Sequence, residues 1–387
     1  MVARRAAIAV VVALAAAGVV VVASQSQEAR LSSDFTIEYS AGLLVREGRL
    51  DGPYQQPELA KTMQRVAPDS GIDPRLPFNM PLGAALPYAV VSFLPLEVAF
   101  RVWQVISLAV MLAALIVLQR VAPLGRSALA WGTLGLLAAV PTWATLSEGQ
   151  PTSLVMLGAA LLVASLRSPN LASALVGGAL VAIKPQYLPE YLLVLLAARR
   201  WPSLIGAGAA AGVVLLSPLA AGPAALTAMV HNALLANQAV DIHLNEALIG
   251  ILAWAAPAGL VTALSLVICA AMIIGLGWLA WQKTLAPVTL AIIAGTLTVL
   301  GSPHSLPHDL VILAIPAWLL WWLYRGAALP NPFIALLAID VALLLDLRAV
   351  GIPLGPIVMV AAAGWLVWQV RQRAQRQPHR PPVALAG

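Results

Sequence analysis

VWQVISLAVMLAALIVLQ, residues 102–119, runs for eighteen residues without a charge and stops at Arg120. Coiled as a helix at 1.5 Å per residue it is about 27 Å long, close to the roughly 30 Å hydrocarbon core of a bilayer. The same pattern recurs on both sides. Apolar runs punctuated by charges or Pro/Gly fall near 127–146, 152–166, 171–183, 187–198, 203–220, 259–282, 285–300, 309–324, 331–346 and 352–370, and the stretch from Ala6 to Ala23 opens the series. That makes twelve. The composition agrees, with 61% hydrophobic and 10% charged residues over 387, where soluble domains average about 25% charged. The expected fold is an all-α integral membrane protein of about twelve transmembrane helices. Soluble Rossmann, TIM-barrel and disulfide-framework folds are excluded, and the single Cys269 has no partner for a bridge within the chain.

The basic start Met1–Arg5 ahead of Ala6–Ala23 has the outline of a signal peptide. Its length and the many spans behind it favour an uncleaved first helix. With that N-terminus cytoplasmic, the inner turns carry Arg120, Arg126, Arg167, Arg199, Arg200, Lys283 and Arg325, and the tail Arg371, Arg373, Arg376 and Arg380. Together with Arg4 and Arg5 these are 13 of the 22 basic residues and none of the 16 acidic ones. Such sorting follows the positive-inside rule and predicts a multi-pass cell-membrane protein with both termini cytoplasmic. It also accounts for the net charge of +6 without a nucleic-acid partner. Residues 1–370 then form a single transmembrane domain, with 24–80 as a long first outer loop and 371–387 as a basic cytoplasmic tail. The stretch 81–100, interrupted by Pro81, Pro87 and Pro95, reads as an interfacial helix; 247–256 is a second candidate. The runs 171–183 and 187–198 are too short to cross alone, so their junction lies below the outer surface.

Nearly every polar motif faces outward in this topology. The segments are 24–79, LSEGQPT (146–152), IKPQY (183–187), 221–246, GSPHSLPHD (301–309) and LDLR (345–348). The inner turns hold no acid, no Gly-rich phosphate loop and no DxD pair, which argues against a cytoplasmic nucleotide site. Asp34, in SSDFTIEYSAG (32–42) ahead of Phe35 and Tyr39, reads either as a helix N-cap or as a carboxylate at the rim of a cavity. Lys184 before Pro185 is either snorkelling to the surface or aimed at an anion, since a cation at that depth is costly otherwise. Glu148 and Gln150 before Pro151 are turn residues or ligand contacts. His304 and His308 stand four apart like a metal pair, but Pro307 interrupts any helix between them and no third ligand is evident. Hydrogen bonding to an anionic or sugar group, or a plain turn, suits them as well. Asp340 reads as a helix-packing contact, and GAGAAAG (206–212) as small-residue helix packing.

In order, DF followed by Tyr39, PYQQPEL (53–59), PLEVAFRVWQ (95–104), EGQPTSL (148–154), IKPQ (183–186) before a helix ending RRW (199–201), and SPHSLPHD (302–309) resemble glycosyltransferase family 87, over about residues 30–325. This family of the GT-C superfamily uses polyprenyl-phosphate sugars, and many members are mannosyltransferases. The pattern departs at RLPFNMPLGAAL (75–86), where Phe78 and Pro81 stand with altered spacing for a Tyr-x-Pro. The resemblance implies a GT-C-type fold and an inverting transfer, most often of mannose, to a lipid or glycan acceptor at the outer membrane face, with Asp34 as catalytic base. Lys184, His304 and His308 would meet the donor phosphate, and Tyr39, Glu148, Gln150 and Asp309 the sugar and acceptor. Apart from membrane lipids, donor and acceptor are the only partners implied, with no cofactor and no metal. Nucleotide sugars are cytoplasmic, so an outward site needs a lipid-carried donor. A secondary transporter or lipid flippase would also show broken helices and a buried lysine. It predicts an internal repeat that the sequence lacks. A purely structural membrane scaffold is the third reading.

Overall fold

The computed structural model describes residues 2–68, 70–239, 244–254, 256–283, 285–323, 333–345 and 352–376. Among the described residues the chain is helical, without strands. α1 (Val2–Ser24), α2 (Gln27–Leu31), α3 (Phe35–Arg46), α4 (Gln56–Val66) and α5 (Leu82–Val91) lead to the long α6 (Leu96–Val121). Next come α7 (Arg126–Ala138), α8 (Val140–Glu148), α9 (Thr152–Arg167), α10 (Leu171–Val181), α11 (Leu188–Ala197), α12 (Trp201–Leu215) and α13 (Pro223–Ala239). The series closes with α14 (Leu248–Leu252), α15 (Ala258–Trp281), α16 (Pro287–Leu300), α17 (Ala314–Leu323), α18 (Phe333–Leu345) and α19 (Leu354–Arg376). Short 3₁₀ turns at Pro185–Tyr187 and Pro307–Leu313 join α10 to α11 and lead into α17.

Three stretches, Leu96–Val121, Trp201–Ala221 and Gly259–Trp281, are long and apolar enough to cross a membrane, and α7 with α8 would make a fourth if the bent pair is one span. Other expected spans appear as apolar helices of 10–17 residues. The expected interfacial helix 81–100 is shorter: it ends at Val91, and residues from Leu96 begin α6. Pro95 holds an extended ψ of 146° that starts a new helix. The expected outer loop 24–80 is largely folded into α2, α3 and α4, and the stretch 221–246 contains α13. Arg325 and LDLR beyond Leu345 lie outside the described residues, as does the tail beyond Arg376.

α9 packs against α6 and α10, and α10 against α12. Small residues set that last approach, because a Cβ on Gly178 would stand 2.2 Å from the Ala207 carbonyl oxygen. α7 and α8 meet at a bend of 61°. Pro141 has no N–H for the Leu137 carbonyl, and the Trp143 indole N–H takes its place at 2.7 Å. The Val140 N–H freed by the break donates to Asp340 Oδ1 at 3.0 Å. At one end of the bundle Arg167 donates to the Arg120 carbonyl at 2.6 Å and Arg200 to that of Leu166 at 2.5 Å, so cations cover helix C-termini there. α9 thus carries arginine at its C-terminus while its N-terminal residue, Thr152, touches Asp309 at the other end.

Candidate active site

The start of α3, the end of α8, the α10–α11 junction and the loop before Pro307 converge on a cavity of about 590 Å³. Asp34 opens α3 with helical backbone angles, and its carboxylate makes no capping bond. The carboxylate instead accepts from Gln150 Nε2 at 2.6 Å, and the Asp34 N–H donates to Glu148 Oε2 at 3.4 Å. Gly149 lets EGQ reach this position. It ends α8 in the left-handed region, at φ 66°, and a Cβ there would lie 2.6 Å from the Phe35 Cβ. Tyr88 locks the turn by donating to the Gly149 carbonyl at 3.0 Å.

Lys184 leaves α10 where Pro185 begins a tight turn, and at 7% exposure it does not snorkel. Its ammonium sits 2.5 Å from Asp309 Oδ1. Asp309 is held further by the Thr152 hydroxyl at 3.1 Å, the Leu306 N–H at 3.2 Å and His308 Nε2 at 3.5 Å. The resulting buried network ties LPHD to α9 and to the 183–187 turn. The Thr145 hydroxyl adds a bond to the His308 carbonyl at 2.9 Å.

Of the residues expected from sequence, Asp34, Glu148, Gln150, Lys184, His304 and His308 line the cavity together. Asp309 lies behind Lys184, and Tyr39 stands apart. The Tyr39 ring joins Phe35, and its hydroxyl donates to the Leu94 carbonyl at 2.8 Å. Arg101, another cation on this side, is spent on the C-terminus of α1, donating to the carbonyls of Val22 at 2.9 Å and Ala23 at 3.1 Å. Two further features form cavity walls. Glu38 lines it one turn beyond Asp34, a spacing that puts both on one helix face. The segment Leu76–Met80 also faces it, fastened by the Tyr54 hydroxyl to the Met80 carbonyl at 2.9 Å and by Asn232 to that of Phe78 at 3.1 Å.

Burial raises the Asp34 pKa above the ordinary 3.8, against the lowering pull of the Gln150 bond and of the Lys184 charge. Burial likewise lowers His304 below 6.5, leaving a neutral imidazole at pH 7. Among the described residues no three His, Cys, Asp or Glu side chains gather as a metal-binding group. The arrangement offers a carboxylate of elevated basicity, oriented by one amide, in the same cavity as a fixed ammonium and two imidazoles.

A family model for glycosyltransferase family 87 matches residues 78–303, more than half of the chain. The match takes in EGQ and Lys184, while Asp34 precedes it and His304, His308 and Asp309 follow it. No curated protein and no solved structure matches the chain.

Proposed function

The chain belongs to glycosyltransferase family 87, a GT-C-type family of membrane glycosyltransferases, and on that premise we propose that it moves a sugar, mannose in our reading, from a polyprenyl-phosphate carrier to a lipid or glycan acceptor with inversion. The observation that carries this is the cavity itself, which joins the Gln150-held Asp34 to Lys184 and the two histidines. Asp34 takes the proton from the acceptor hydroxyl as that oxygen attacks the anomeric carbon. The carbon–oxygen bond to the phosphate breaks on the opposite face, and the lipid phosphate leaves with the electron pair. Lys184, His304 and His308 supply N–H donors for its growing charge; preplaced donors in a dry site are worth more than in water. Glu148 and Gln150 border the sugar and acceptor. Tyr39 and Asp309 spend their polar groups on protein partners and are given no substrate contact.

In this reading residues 1–370 form one membrane domain of about twelve spans, with the cavity outward and the tail 371–387 cytoplasmic. The arginine end of α9 and its cavity end lie at opposite helix termini, which supports that orientation. Broken helices and a buried lysine, which also suit a transporter, here belong to the cavity of a glycosyltransferase-family protein. Purified protein in lipid nanodiscs, given radiolabelled polyprenyl-phosphate sugars and a membrane-lipid acceptor extract, should label a product with one sugar of the panel and none with nucleotide sugars alone. Transfer from a nucleotide sugar, or none from any lipid-linked one, overturns the proposal.

A further inference from the structure

We infer that Glu38 binds a sugar hydroxyl in the cavity, as a recognition group beside Asp34; the assignment rests on the transferase reading above. Glu38 is only 6% exposed, and its Oε2 is enclosed with no hydrogen-bond partner. Two other carboxylates of the site are differently placed. Asp34 has Gln150, and Asp309 has Lys184, Thr152 and the Leu306 amide. A buried polar atom left without a partner costs stability, and Glu38 leaves one beside the cavity it lines. A ligand in the cavity can supply the missing partner once the carboxyl turns to it.

The chemistry of the ligand follows from what a carboxyl can give and take. Asp34 on the same helix, Tyr88 on α5 and Lys184 at the α10–α11 junction are the titratable or charged groups that interact with it. Burial and the neighbouring Asp34 charge push Glu38 well above 4.5, against the lowering pull of the Lys184 charge. In either protonation state a carboxyl can meet a hydroxyl: ionised it accepts the O–H, and protonated it can also donate. A sugar hydroxyl, itself donor and acceptor, suits both states; a phosphate suits only the protonated one.

Steady-state kinetics of the wild-type enzyme and of Glu38→Gln, Glu38→Leu and Glu38→Met in nanodiscs test this, with thermal melting to show that each is folded. The amide keeps a donor and an acceptor, so Glu38→Gln should hold both KM values within about threefold, while the apolar variants raise one KM about tenfold with a smaller change in kcat. A rise in acceptor KM assigns the hydroxyl to the acceptor, and a rise in KM for the polyprenyl-phosphate sugar assigns it to the donor. Unchanged KM values in a folded apolar variant overturn the inference. A kcat loss of 10² or more in Glu38→Gln overturns it too, in favour of a base. No transfer by the wild-type enzyme overturns the transferase reading and this assignment with it, whereas normal wild-type transfer confines any failure to Glu38.

Discussion

A carboxylate taken out of water is a better base and a worse neighbour. Asp34 shows both sides, because burial raises its pKa above 3.8. A base must be deprotonated to act, so kcat/KM should climb with pH along an acid limb lying above 3.8, measurable as a pH–rate profile. Asp34→Asn removes the limb with the activity; loss of a general base typically costs about 10²–10⁴ in rate. The sign for stability is the reverse. A raised carboxyl pKa makes the folded chain the tighter proton binder, so the stabilisation is complete below the unfolded pKa and fades as pH rises through the folded one. Asn is neutral throughout, and Asp34→Asn should melt no lower than wild type at pH 7; normal turnover by that variant would remove Asp34 from the mechanism. Removing the Lys184 charge acts on stability through its ion pair. Its side chain is 9% exposed against Asp309 at 0%, so Lys184→Gln strands a buried charge and should cost about 3–5 kcal/mol. Adding Asp309→Asn should return much of that stability and none of the donor affinity; recovery of donor affinity would sink the phosphate role. Such polar residues were legible because an acid or lysine in a chain with 10% charge is conspicuous. Tyr39 was misplaced because one residue past Glu38 is a turn of about 100° around the helix, enough to carry it from the cavity to the Phe35 cluster.

Helices in an apolar solvent gain little from hydrophobicity and associate by close fit. The α10–α12 contact depends on Gly178, where a Cβ would meet the Ala207 carbonyl at 2.2 Å. Backbone cannot swing aside as a side chain can, so Gly178→Ala should lower stability by about 1–3 kcal/mol, the usual cost of overpacking. Gly208, in the GAGAAAG stretch of α12, has nothing within 4 Å of its would-be Cβ. Gly208→Ala should therefore be neutral or gain up to about 1 kcal/mol from helix propensity. Thermal melts in one detergent decide between them, and equal shifts would refute the packing argument. Small-residue packing was readable in the sequence as a class, but which glycine meets a neighbour depends on helix rotation. The α7–α8 break shows another limit. The expected span 127–146 runs through Pro141, and the bend there is held by Trp143 and by Asp340, the latter 200 positions from Val140 in sequence. For α13, polar residues such as His231 and Asn232 interrupt the apolar pattern that marked the other helices.

The whole molecule has two unlike ends, and their difference is the part of the architecture most open to experiment. At one end arginines meet helix C-termini, through Arg167 to the Arg120 carbonyl and Arg200 to that of Leu166. At the other, acids, histidines, the start of α3 and the segment 76–80 surround the cavity. Charge asymmetry between loops needs no tertiary knowledge and was legible in the sequence; the helices within the 24–80 cover were not, as its contacts join positions far apart, such as Tyr54 to Met80. If basic turns stay cytoplasmic, the cover faces outward. Arg75 on the cover has a side chain 87% exposed, and Ser168, just after α9 at the arginine end, is exposed too. In a Cys269→Ala background, a membrane-impermeant thiol reagent on intact cells should label Arg75→Cys and spare Ser168→Cys until the membrane is opened. Labelling of Ser168→Cys alone would turn the molecule over. The cavity would then open toward the cytoplasm, where nucleotide sugars are at hand, and the need for a lipid-carried donor would vanish with the orientation.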